Sequence, residues 1–133
     1  RPALEKQAQQ LGLAESATFW GSKFGEEKLA LLRQCTVFAH PSRNEGLPTA
    51  VLEAAALGLP CLISEATNLG DAVRQFDAGH VTPDVTATQL TEGLVALHER
   101  IGRGEGATLQ QNAHRMVAEG FDWAQVLGRF HQL

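Results

Sequence analysis

The sequence predicts an α/β domain: a Rossmann-like, parallel, doubly wound sheet with helices on both faces. Three observations carry that expectation. Strand-like apolar runs alternate with helix-periodic segments as far as Pro83. The connections between them are short, as in crossover units. The runs Cys35–Ala39 (CTVFA) and Pro60–Ser64 (PCLIS) do not alternate with polar residues, which marks strands buried on both faces.

Each element follows from its own residues. Arg1 to Leu11 reads as a helix with Ala3, Leu4, Ala8 and Leu11 on one side and Gly12 as its stop. Ala17 to Trp20 is a short apolar run ended by Gly21, hence a strand. Glu26 to Gln34 is helical, and Cys35 to Ala39 is the first of the buried strands. His40 to Leu47 (HPSRNEGL) is a polar loop punctuated by Gly and Pro. Pro48 to Leu57 forms a helix closed by Gly58, then Pro60 to Ser64 forms the second buried strand. Asn68 to Gln75 is a short helix, and His80 to Thr82 is a brief strand before Pro83. Thr88 to Arg100, Ala107 to Glu119 and Trp123 to Phe130 are helices that cap the sheet. GRGEG (Gly102 to Gly106) follows a helix rather than a strand, so it reads as a flexible helix–helix connection and not as a dinucleotide fingerprint. Three or four strands fall short of the six in a full dinucleotide-type sheet. The missing strand or strands are therefore expected upstream of Arg1, leaving the fold truncated at its amino-terminal edge. The absence of an initial Met fits the same expectation of a fragment.

Composition narrows the class. A chain of 133 residues suits one domain, and 44% hydrophobic with 20% charged residues excludes disorder. A net charge of −4 argues against a broad nucleic-acid surface. No apolar run approaches the roughly 18 residues of a spanning helix, and no signal-peptide layout opens the chain. Cys35 and Cys61 each sit in an apolar strand segment and are expected as buried free thiols, which places a soluble domain in a reducing compartment.

The chemistry concentrates in the segment from His40 to Glu53. Ligands of open α/β sheets bind outside the carboxyl ends of strands, where this loop lies. Pro48 suits a first helical turn, leaving the amides of Thr49, Ala50 and Val51 unpaired at a helix end that favours phosphate. Glu45 and Glu53, with seven residues between them, would repel a phosphate but accept hydrogen bonds from sugar and ribose hydroxyls. Glu53 follows Thr49 by four residues, about one turn or ~5.4 Å along the helix. The spacing fits a nucleotide-diphosphate sugar. Taken singly, Glu45 also reads as an exposed loop acid and Glu53 as a solvated helix residue. Against the latter stands the apolar setting VLEAAALGLP.

These residues resemble a family. From Phe19 to Ser64 the chain is similar to the carboxyl-terminal domain of the family-four retaining glycosyltransferases, enzymes of GT-B architecture with two facing Rossmann-like domains. The resemblance rests on Glu45 and Glu53, on the preceding Pro41–Ser42 pair, and on Glu53, Ala54, Ala56, Gly58 and Pro60 in fixed order. The closing FDWAQV (Phe121 to Val126) resembles the family's usual end. It implies that Glu45 contacts the donor sugar and is the catalytic-site residue of this half. Gly46 and Leu47 would offer backbone amides, Pro48 and Thr49 would frame the diphosphate, and Glu53 would hold the ribose. Backbone near Lys23 and Gly25 would lie against the base. The donor implied is UDP- or GDP-linked, without a metal or other cofactor, and the intact enzyme is cytoplasmic with peripheral membrane association supplied by the other half. The family's Arg and Lys diphosphate clamp, its glycine-rich turn and its acceptor-binding amino-terminal domain have no counterpart in this sequence. The chain alone is therefore expected to bind donor weakly and to be inactive.

Other signals point away from chemistry. No Asp-x-Asp pair is present, and His40, His80, His98, His114 and His131 show no metal-ligand spacing. Neither Ser42 nor Ser64 sits in a nucleophile elbow. His40 reads as a structural histidine, His98 and His114 as helix-surface residues, and Trp20 and Trp123 as packing groups. Lys28 reads equally as a base or phosphate contact and as a solvated side chain. A non-catalytic nucleotide-binding or interaction module, and a GT-B sugar-nucleotide epimerase or synthase, remain as other readings of the same residues.

Overall fold

The computed structural model describes residues 2–13, 15–19, 25–42 and 49–120. The chain forms two compact units, Arg1–Leu31 and Leu32–Leu133. The first contains helix α1 (Pro2–Gln10) and most of α2 (Gly25–Arg33). Gly12, at φ 73°, closes α1, and the amide of Leu13 returns to the Ala8 carbonyl at 2.7 Å. Acids Glu26 and Glu27 open α2 and Arg33 ends it, a charge order that suits the helix dipole. The expected strand over Ala17–Trp20 does not form among the described residues. The Ala17 amide instead folds back to Leu13 at 2.8 Å, and Trp20 lies outside the described part.

The second unit carries the sheet. Strands β1 (Phe38–His40), β2 (Cys61–Ser64) and β3 (Gly79–Thr82) are parallel and stand in that spatial order. Helices α3 (Thr49–Ala56) and α4 (Gly70–Phe76) make the crossovers. Right-handed crossovers between strands in sequential order place both helices on one face. Val51, Leu52 and Ala55 of α3 and Val73 of α4 accordingly share a core with Cys61 and Ile63. Leu62 points to the opposite face and packs against Leu97 of α5 (Ala87–Arg100). Helices therefore cover both faces, as the sequence predicts. The last of the described helices, α6 (Gly106–Gly120), joins the two layers: Leu109 packs with Leu62, whereas Ala113, Met116 and Val117 pack with α3 and α4. No helix among the described residues is long and apolar enough to cross a membrane.

Three expectations about β1 need correction. It is not buried on both faces, since Ala39 is exposed and Phe38 and His40 are half-buried. The strand starts at Phe38 rather than Cys35, because the Cys35 amide still closes the last turn of α2 on Leu32 at 3.0 Å. Cys35 is consequently exposed, not buried. Cys61 is buried as expected, and burial pushes its thiol pKa up to about 12. The GRGEG segment does connect two helices, through a wide π-type turn at Ile101–Glu105 with Gly104 at φ 91°. Rather than hanging loose, the turn is tied by Glu105 to Arg100 at 2.9 Å and to Arg103 at 3.2 Å. Trp123–Phe130 lies outside the described residues.

Two residues at the amino ends of the strands hold the layers in register. Asp77 caps α4 in a left-handed conformation (φ 53°) that a short polar side chain tolerates. Its carboxylate accepts from Arg100 Nη1 and Nη2, at 2.8 and 2.7 Å, and its carbonyl accepts from Asn112 at 3.1 Å, so it binds α4, α5 and α6 together. Gly79 opens β3 so close to β2 that a Cβ there would lie 1.8 Å from the Cys61 carbonyl oxygen.

Two predictions follow from this end of the sheet. Gly79→Ala must part β3 from β2, and it is expected to cost about 3 kcal/mol, read as a lower denaturant midpoint at unchanged slope. An unchanged midpoint would contradict the strand spacing. The Arg100 hydrogen bond holds the Asp77 carboxyl below its usual range. Its stabilisation is present above the unfolded value of roughly 4 and fades as pH falls through the lower folded value. The side chain is half-exposed. Asp77→Asn should therefore cost no more than about 1 kcal/mol at neutral pH. The gap from wild type should close as pH falls below the ordinary carboxylate range in denaturation curves taken across pH, and a gap that widened with acid would refute the pairing.

Candidate functional site

Burial on both faces leaves β2 only its ends for polar chemistry, and its carboxyl end is rich in hydroxyls. Ser64 and Thr82 face each other in the ladder, and both are buried. Thr82 Oγ1 donates to the Asp84 carbonyl at 2.8 Å, and Thr67 Oγ1 to the Ser64 carbonyl at 2.9 Å. Ser64 Oγ accepts the Ser42 amide at 3.2 Å and donates to the Ser42 carbonyl. Beyond β3, Thr86 caps α5 by accepting the Gln89 amide at 3.2 Å, and the Gln89 side chain accepts the Asp84 amide at 2.6 Å. This rim borders an open cleft of about 360 Å³ lined by Ser64, Ala66, Pro83, Asp84, Val85 and Thr86.

The helix that follows the β1 loop is α3, beginning at Thr49. Its core side is Val51, Leu52, Ala54 and Ala55, all fully buried. Thr49, Ala50 and Glu53 are only half-buried and lie at helical spacing, so they form a less buried stripe, whereas the half-buried Ala56 and Leu57 pack against core clusters. Glu53 therefore occupies a partly open face, one turn beyond Thr49. Gly58, at φ 87°, ends the helix, and the Leu59 amide returns to the Ala54 carbonyl at 3.0 Å.

Of the residues singled out in the sequence, Thr49 and Glu53 come together on this stripe. Gly25 opens α2 in the other unit, at φ 58°. Lys23, Glu45, Gly46, Leu47 and Pro48 lie outside the described residues. His40 is half-buried at the end of β1, its ring stacked on Phe38 at 6.2 Å, which fits a structural histidine. His98 and His114 are exposed on their helices, and Lys28 is half-buried. Among the described residues no three His, Cys, Asp or Glu side chains converge as a metal would need. Sequence reasoning did not assign Ser64, Thr67 and Thr82. Their signal was a hydroxyl at or just beyond the carboxyl end of an apolar strand, as in PCLIS and GHVT.

Comparison with known proteins gives a consistent answer. The family model for glycosyl transferases group 1 matches residues 2–115. EpsF of Bacillus subtilis (strain 168), named as a glycosyltransferase, is 36% identical over 105 residues, covering 78% of this chain and 25% of that protein. A D-inositol 3-phosphate glycosyltransferase of Nocardia farcinica (strain IFM 10152) is 30% identical over 122 residues, covering 92% of this chain and 26% of its own length. Among solved structures, a sucrose-phosphate synthase from Thermosynechococcus elongatus matches with a TM-score of 0.75 and 25% identity, over 97% of this chain and 32% of that one. The chain thus spans a quarter to a third of the length of these proteins.

Proposed function

The chain belongs to the glycosyl transferases group 1 family, and from that premise we propose that it is the donor-binding, carboxyl-terminal half of a retaining GT-B glycosyltransferase. The donor in this reading is a UDP- or GDP-linked hexose. The intact protein passes the hexose to a hydroxyl acceptor in glycan or glycolipid synthesis, and the acceptor contacts come from the other half. The observation that carries the reading is the placement of Glu53 on the partly open stripe of α3, one turn from Thr49, just after the loop that leaves the carboxyl end of β1. The Nocardia relative is named for glycosyl transfer involving D-inositol 3-phosphate, a polyol, which supports a hydroxyl acceptor.

Each group has a physical role. The first amides of α3 have no partner within the helix, and with the helix dipole they favour a diphosphate. Glu53 accepts hydrogen bonds from the ribose hydroxyls, which lie within a turn of that diphosphate. Glu45 accepts from the sugar hydroxyls, while Gly46, Leu47 and Pro48 bring backbone against the sugar and phosphate. Lys23 and Gly25 offer backbone to the base. In the transfer, the bond from the anomeric carbon to the β-phosphate oxygen breaks and its electron pair stays on that oxygen. The acceptor oxygen bonds the same face of the anomeric carbon and passes its proton to the departing phosphate oxygen. Donors already aimed at the developing phosphate charge supply the largest share of such catalysis. This reading calls on no metal.

Ligand-observed NMR with UDP, GDP and their hexose conjugates tests it on the protein that carries these residues. One nucleotide should bind, and Glu53→Ala should weaken it about tenfold or more, the loss expected when a charged acceptor leaves two hydroxyls. Equal binding by wild type and variant would remove Glu53 from the ribose and overturn the reading.

A further inference from the structure

The amide of Phe38 donates to the Pro60 carbonyl at 2.9 Å. Parallel ladders repeat this pattern every second residue, so the next donors on β1 are His40 and Ser42, facing Leu62 and Ser64. At Ser64 the pattern breaks. Its carbonyl is taken by Thr67 instead, through the amide at 3.1 Å and Oγ1 at 2.9 Å. The Ser42 amide goes to the Ser64 side chain at 3.2 Å, and the same Oγ donates to the Ser42 carbonyl. One buried hydroxyl thus replaces the ladder and holds both backbone groups of the residue at which the chain leaves the sheet. The segment that begins there runs to Thr49 and contains Glu45, Gly46, Leu47 and Pro48.

We infer that Ser64 is a positioning residue for donor binding: its hydroxyl fixes Ser42 and thereby the start of the donor loop, without touching donor itself. The inference rests on the donor-site reading given above. Alanine has no group to accept the Ser42 amide, and cysteine keeps the volume with a far weaker hydrogen bond. Threonine keeps the hydroxyl. The loss therefore follows the oxygen and not the size of the side chain.

The test uses the protein carrying this chain, with UDP-glucose and GDP-mannose as probes. Ser64→Ala and Ser64→Cys should each raise the dissociation constant of the probe that binds by about five- to tenfold, the equivalent of one hydrogen bond. Hydrogen exchange should quicken in the peptide reaching Ser42 while peptides from β2 and α3 keep native rates. Ser64→Thr should restore more of the affinity than Ser64→Cys. Native affinity in Ser64→Cys would overturn the proposal, and so would quickened exchange at Ser42 without loss of affinity. In either case a weakened Glu53→Gln would leave the donor site standing. Exchange that quickens throughout β2 in Ser64→Ala marks a packing defect, and Ser64→Cys then decides alone by the same criteria. If wild type binds neither probe, or Glu53→Gln binds as wild type does, the donor-site reading fails and this inference fails with it.

Discussion

Cys61, Leu62, Ile63 and Ser64 are sealed from water on both faces of the sheet, and the rest of the second unit is arranged to keep them so. A backbone buried on both sides must bond its amides and carbonyls to neighbouring strands. Parallel neighbours in turn require crossover helices, and those helices need apolar stripes to lay on the sheet. The stripes are there: Val51, Leu52 and Ala55 on α3, and Leu97 on α5 with Gly93 beside it. A Cβ at Gly93 would stand 2.5 Å from Leu62, so the small residue is what lets α5 lie close over the strand. A fully buried leucine or isoleucine is worth about 1.5–3 kcal/mol. The four residues of β2 therefore secure far more than their own length.

The same sealing dictates where chemistry can occur. Polar groups are excluded from the faces and must gather at the strand ends, and the two ends are used differently. At the amino ends, Asp77, Arg100, Arg103 and Glu105 form a connected set of ion pairs, and with the Asn112 hydrogen bond to Asp77 they tie three helices together. Those residues serve cohesion, being largely satisfied by one another. At the carboxyl ends stand short hydroxyl side chains, Ser64, Thr67 and Thr82, whose bonds go to backbone and fix the departing loops. Beside them an open cleft begins. Loops held by their roots on a rigid sheet suit ligand recognition, since the sheet itself need not adjust.

Much of this was legible in the sequence because it depends on burial and periodicity. PCLIS announces a strand with no wet face, and VLEAAALGLP announces a helix ended by glycine, as Gly58 proves to be. The failures have a common cause. Ala17 and Cys35 are apolar but lie beside helix ends, where their amides return to the Leu13 and Leu32 carbonyls before a strand can form. Local hydrogen bonds decided those positions, and composition does not report them. Glu53 illustrates the opposite case. Its neighbours are apolar, yet 3.6-residue periodicity alone puts it with Thr49 on the less buried stripe. The exchange of partners at Ser64 could not be read at all, since it depends on which acceptor Ser42 meets across 22 residues of chain.

That exchange bears on how an α/β sheet hands its chain to a binding loop. A backbone ladder constrains a strand well but continues in only one direction, along the sheet. If Ser42 stayed on the Ser64 carbonyl, β1 would run on straight and its loop would start in the plane of the strands. Diverting that carbonyl to Thr67 frees the Ser42 amide; an amide left free in full burial would cost about 1–3 kcal/mol, and less at this half-buried position. The Ser64 hydroxyl removes that cost because it can accept and donate at once. Valine or alanine at this place could do neither, and Ser42 would lose both of these partners. A hydroxyl at the last position of a sealed strand is thus a structural solution to leaving the sheet, here at the root of the segment that carries Glu45 of the proposed donor site.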